Sequence, residues 1–207
     1  MNRKRLLILA LLALLAAPAS AQDEPTRLAS FDSAAVARRL SSRAPFERRA
    51  AAEELARLAS VEHRRLAEGY RAQEKDSRVK LALDWALYRM GKNESLFPLV
   101  RALEEKSRAE QVVGYLKQLE GPDPLYVFLS RVNGNTRIRL LEVLAAVGDR
   151  NTLERIRPFT QSLDPGIADA AKFAEREINI RLEETPAAEP KRRRKVGSAD
   201  DEERPPL

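Results

Sequence analysis

His63 is the only histidine in 207 residues, and the chain has no cysteine. Proton transfer and thiolate chemistry are therefore reduced to one imidazole. It stands beside Arg64 and Arg65 in a polar stretch, with no nucleophile elbow nearby, and reads as a solvated side chain. Transition-metal sites draw on clustered cysteine, histidine or carboxylate ligands, and the cysteine and histidine parts are missing, so no metal or cofactor is expected. The acidic pairs Glu53-Glu54 and Glu104-Glu105 are adjacent. On a helix adjacent side chains diverge by about 100°, which suits surface charge better than a general acid and base facing one substrate. No Gly-rich phosphate loop follows a strand. The chemistry that remains is recognition. Arg48, Lys80 and Arg137 form a broken basic row, Asp84 lies among them, and Trp85, Tyr115 and Phe173 are three aromatics in equivalent positions. Trp85 is the strongest interface candidate, because interface anchors are enriched in tryptophan. Helix solvation would equally account for the basic row, and packing between neighbouring units for the aromatics.

Those positions are equivalent because the chain repeats. Segments beginning at Glu47, Val79, Ala109, Thr136 and Ile167 start 32, 30, 27 and 31 residues apart. Within each, small or apolar residues tend to fall at offsets 0, 3, 4, 7, 8 and 11. The second copy fits throughout, with Val79, Ala82, Leu83, Ala86, Leu87 and Met90. That spacing is one face of an α-helix, and a period of this length indicates a solenoid of stacked units. Arg48, Lys80 and Arg137 share offset 1, and the three aromatics share offset 6.

Between the repeated helices lie segments that complete each unit as a hairpin. First helices are expected near 32–42, 60–73, 93–105, 122–132 and 149–163. Second helices are expected near 45–58, 77–90, 108–120, 136–147 and 165–183. Asp76-Ser77 and Asp164-Pro165 place an N-cap acceptor ahead of two second helices. Gly91, Gly121 and Gly148 are expected to close helices in the left-handed conformation. No stretch alternates with a period of two, so no sheet is expected. The fold predicted is all-α, a right-handed α-solenoid of about five hairpins.

The run Asp76-Ser77-Arg78-Val79-Lys80-Leu81-Ala82 with Trp85-Ala86-Leu87 and Met90-Gly91 resembles the HEAT repeat family. The connection Gly148-Asp149-Arg150-Asn151-Thr152-Leu153 and the start Asp164-Pro165-Gly166-Ile167 resemble it too. The likeness is to the short HEAT-like repeats of bacterial proteins and phycobilin lyases, over roughly residues 27–183. It implies a binding scaffold, since a minority of HEAT-like proteins are lyases or DNA-alkylation repair enzymes. Repeat one departs from the pattern, with Glu47 and Glu54 at apolar offsets. That is expected of a terminal cap whose outer face meets water.

The two ends read differently. Arg3, Lys4 and Arg5 precede twelve apolar residues, Leu6 to Ala17, then Pro18 and Ala19-Ser20-Ala21. This is the order of a secretory signal, with cleavage expected after Ala21. The apolar run rises about 18 Å, short of a bilayer core of roughly 30 Å. Residues 22–183 then form the repeat domain, free of an integral membrane segment. Residues 184–207 form a Pro-rich, charged tail with six basic and six acidic residues, expected to be disordered. The formal charge of +6 falls to +3 without the leader's three basic residues, weak support for a polyanion. The arginine bias and export signal together point to a periplasmic or secreted bacterial protein. The function expected is a non-enzymatic scaffold that holds a protein partner on its second-helix face. The alternative is a binder of anionic envelope polymer or nucleic acid through the basic row and tail, and a lyase-like enzyme is the third reading.

Overall fold

The structure, a computed structural model, describes residues 33–184. The expected leader and nearly all of the expected tail lie outside the described residues. Among the described residues every regular element is helical and none is a strand. A helical lead-in at 33–38 tightens into a 3-10 turn, Arg39–Ser41. The α-helices that follow are α1 (Pro45–Leu58), α2 (Arg64–Gln73), α3 (Ser77–Arg89), α4 (Leu96–Ala102) and α5 (Lys106–Leu116). Then come α6 (Asp123–Leu129), α7 (Gly134–Val147), α8 (Arg150–Ile156) and α9 (Pro165–Glu184). Short 3-10 turns lead into α2 and α4 and extend α8. No helix among the described residues is long and apolar enough to cross a membrane.

Three of the helices, α3, α8 and α9, begin where a side chain satisfies free backbone N–H groups. Asp76 accepts from the amides of Arg78 at 2.9 Å and Val79 at 3.1 Å ahead of α3. Asp164 accepts from Gly166 at 2.9 Å with Pro165 at the first position of α9. Asp149 and Thr152 satisfy each other's backbone amides in a capping box that starts α8. Each such cap contributes about 1 kcal/mol.

Packing follows the recurring spacing. In chain order α1 contacts α3, α3 contacts α5, α5 contacts α7 and α7 contacts α9, with α2 against α3 and α8 against α9. The apolar positions of the second copy, Val79 to Met90, are all buried, and Leu83 and Leu140, which share an offset, are 1% and 0% exposed. One apolar cluster runs from Ala37 to Ile178. A single amphipathic helix cannot bury its own face in water, so each apolar stripe needs the next helix to cover it.

Two helix ends depart from expectation. Gly91 is left-handed, at φ +87°, as expected. Gly121 is not, because α5 stops at Leu116 and the chain turns through i−3 hydrogen bonds at Gln118 and Leu119 well before it. Gly148 is extended, at φ −67° and ψ 154°. It is required by space instead: a Cβ there would stand 2.4 Å from the Leu144 carbonyl oxygen and 2.7 Å from Ile178 Cδ1. The left-handed end of α1 falls on Ala59, φ 49°, whose neighbour Ser60 closes the turn onto the Leu55 carbonyl.

Candidate functional site

Trp85 sits on α3 with 2% of its surface exposed. Tyr115 of α5 stacks on it with ring centres 5.8 Å apart and planes 1° from parallel, and Tyr88 packs against it at 5.7 Å. The Tyr115 hydroxyl donates to Glu53 Oε1 of α1 at 2.6 Å and accepts from Gln111 Nε2 at 2.6 Å. Gln111 Nε2 also reaches the Arg78 carbonyl at 2.9 Å. Burial raises the Tyr115 phenol well above its ordinary range, and acceptance by Glu53 adds to the rise, so the hydroxyl stays a donor. The side chains of α1, α3 and α5 are thereby tied together by one stack and one hydrogen-bond chain.

A groove of about 470 Å³ opens over this floor, lined by Arg49 and Glu53 from α1 and by Glu110, Gln111, Gly114 and Gln118 from α5 or its end. Gly114 leaves it open, since a Cβ there meets nothing within 4 Å. Arg49 Nε lies 3.6 Å from Glu53 Oε1. That nitrogen and Gln111 Oε1 are buried polar atoms without a hydrogen-bond partner among the described residues. Unmet buried groups cost about 1–3 kcal/mol each. The groove therefore offers a guanidinium, two carboxylates and two amides around a fixed aromatic floor.

Of the sequence candidates, Trp85 forms part of this floor, and Arg48, Lys80, Asp84 and Arg137 lie elsewhere. Arg48 donates from Nε and Nη2 to the Glu74 carboxylate at 2.7 and 2.8 Å, and from Nη1 to the carbonyls of Ser42 and Arg43. Those bonds, aided by the amides of Lys75 and Asp76 and opposed by burial, hold Glu74 down at about 2. Arg137 donates to the Leu129 carbonyl and to Asn133 Oδ1, and its guanidinium lies 4.9 Å over the Phe159 ring. Asp84 is 3% exposed and accepts from Arg71 at 2.9 and 3.2 Å. Burial raises its carboxyl, against the pull of Arg71 and more weakly of Lys80. Lys80 is half-buried. Arg48 and Arg137 thus spend their donors inside the fold, and Asp84 and Trp85 present no open surface. Of the aromatic row, Trp85 and Tyr115 are packed together, whereas Phe173 is 42% exposed.

On a wheel at about 100° per residue, Glu110 shares offset 1 with the basic row, Gly114 shares offset 5 with Asp84, and Glu53 and Tyr115 share offset 6 with Trp85. Offset 1 falls about 20° from the apolar offset 8, whereas offsets 2 and 9 lie opposite the apolar stripe. Arg49 and Gln111 are at offset 2 and Gln118 is at offset 9, so periodicity puts these three on the side away from the apolar stripe. His63 is half-buried, and its Nε2 has no hydrogen-bond partner among the described residues. No group of three or more carboxylate or imidazole side chains that could hold a metal ion occurs among the described residues. No protein-family model matches the chain, and a search of curated proteins likewise finds no match. Fold and site together define an all-α protein with a polar groove across three of its helices.

Proposed function

We propose that the chain is an exported, non-enzymatic scaffold, a right-handed α-solenoid of about five HEAT-like hairpins, that holds an extended segment of a partner protein. Three features support the architecture: the contacts of α1, α3, α5, α7 and α9 in chain order, the shared burial of equivalent offsets, and the motif likeness. Export rests on the order of basic, apolar and small residues from Arg3 to Ala21, and places the protein in the periplasm or outside the cell.

The observation that carries the binding role is the groove over Trp85 and Tyr115. It is lined from helices that follow one another in the stack, and Gly114 keeps it open. A polypeptide presents alternating N–H and C=O groups, which Gln111, Gln118, Arg49 and the carboxylates can meet in turn. An anionic polymer would meet Glu53 and Glu110 against Arg49 alone, and two of the three cations of the basic row, Arg48 and Arg137, are already engaged with Glu74, Asn133 and backbone carbonyls.

The test places a photo-crosslinking residue at Glu110 and identifies what it captures in the cell envelope. Gly114→Trp should fill the groove and abolish that capture, whereas Gly114→Ala should preserve it. Capture should also persist at high salt, where polyanion binding would fall steeply. Undiminished capture by the Gly114→Trp protein would remove the groove from the binding site.

A further inference from the structure

We propose that the surface formed by α4 and α6 is where two copies of this chain meet in a two-fold dimer. It shares no lining residue with the groove over Trp85 and does not depend on it. Phe97 is 54% exposed and Val127 is 44% exposed. Phe97 stands edge-on to Phe128 with ring centres 5.0 Å apart. That pair is the common wall between two hollows, one of about 640 Å³ reaching Pro98 and Val132 and one of about 410 Å³ reaching Pro124 and Val127. A protruding phenyl ring with an apolar hollow on either side is a knob beside its own holes. A two-fold interface requires just that, because one patch must supply both the inserting group and its receptacle.

Charge points to the same occupant. Arg101 and Glu104 line the larger hollow and are exposed. They are three residues apart and the Glu104 amide donates to the Arg101 carbonyl, yet neither side chain forms an ion pair or hydrogen bond among the described residues. A partner of one charge sign would leave one of them opposed. A second copy, turned about a two-fold axis, brings Arg101 to Glu104 of the other copy and the reverse, so the rim is complementary to itself. Exposed apolar side chains beside a charged rim suit a contact between copies, with the rim setting its register.

The experiment measures the mass of the full chain across a concentration series by sedimentation and light scattering. All variants carry the same termini, so differences between them report only the altered face. The expected result is a reversible dimer. Phe97→Glu should weaken it by more than about tenfold, the loss typical of a central aromatic anchor. Arg101→Glu and Glu104→Arg should each weaken it, and the double exchange should restore it. Mixing the two single variants should give a heterodimer tighter than either homodimer. Helical content by circular dichroism should match the parent in every case, since these side chains are exposed. A chain that stays monomeric at its highest soluble concentration overturns the proposal, even if a crosslinker at Val127 captures a different protein. So does a dimer that ignores Phe97→Glu, or one that the double exchange fails to restore.

Discussion

Gly148→Ala is the substitution whose outcome the packing most sharply constrains. Gly148 lies between α7 and α8 in an extended conformation open to any residue, so backbone preference alone favours alanine by about 0.4–1 kcal/mol through the unfolded chain. Space argues the other way. The new methyl would lie 2.4 Å from the Leu144 oxygen, 2.7 Å from Ile178 Cδ1 and 3.0 Å from Thr152 Cγ2, against ordinary contacts of about 3.5–4.0 Å. Ile178 and Thr152 can give a little. The Leu144 carbonyl cannot, because it accepts the Gly148 amide at 2.7 Å at the end of α7. Shifting that end also disturbs Arg181, which donates to the Gly148 carbonyl at 2.6 Å and the Ala145 carbonyl at 2.9 Å. Overpacking costs about 1–3 kcal/mol and a weakened hydrogen bond about 1 kcal/mol, so a net loss of about 1–3 kcal/mol is expected. For a domain of this size each kcal/mol lowers the melting temperature by about 2–4 °C. Urea and thermal unfolding should show this loss, and Ile178→Val, which removes Cδ1, should reduce it. A Gly148→Ala protein as stable as the parent would refute the reasoning.

Ala59→Gly should stabilise by about 1 kcal/mol, because the left-handed conformation costs any residue with a Cβ roughly that much; chemical denaturation measures it. Gly114→Ala, on an open helical face, should gain about 0.5–1 kcal/mol by the same assay. Arg71→Met should cost roughly 2–3 kcal/mol near neutral pH, below the 3–5 of a fully buried pair because Arg71 is 37% exposed. Since burial holds Asp84 above the ordinary carboxylate range, protonation relieves it, and that loss should shrink as the pH falls. Glu74 works with the opposite sign. Its carboxyl is held at about 2 against an ordinary 4.5, so its contribution is complete above 4.5 and is lost as the pH falls towards 2. Acid titration of stability should therefore be shallower for Glu74→Gln in that window.

Much of the fold is legible in the chain because helices are written locally. The spacing of Val79, Ala82, Leu83, Ala86 and Leu87, the cap at Asp76 and the glycine at 91 all concern residues within a few turns of one another. The end of α5 was misplaced because Lys117 and Glu120 interrupt the apolar stripe and the terminating turns depend on backbone geometry that residue types do not encode. Gly148 was read for its conformational freedom, but the reason for it is Ile178, thirty residues away on another helix. The same distance in sequence hid the site. That Glu74 would occupy Arg48, and Arg71 would meet Asp84, depends on where α2 lies against its neighbours. Periodicity could have indicated Arg49, Gln111 and Gln118, since they lie opposite the apolar stripe, but not that Tyr115 would bind Glu53 across sixty-two positions.

The arrangement around Trp85 also makes the protein its own optical reporter. It is the only tryptophan in the chain, its indole is shielded from water, and a tyrosine lies against it from α3 and another from α5. Tyrosine passes excitation to a nearby tryptophan, so light absorbed by Tyr115 emerges from Trp85 only while α5 remains docked on α3. The Tyr115 share is the difference from a Tyr115→Phe protein, in which Tyr88 still transfers; its loss reports separation of this one seam, and a red shift of the emission reports entry of water to the indole. Recorded together during unfolding, the two signals distinguish parting of the α3–α5 seam from melting of α3 itself, without any attached label.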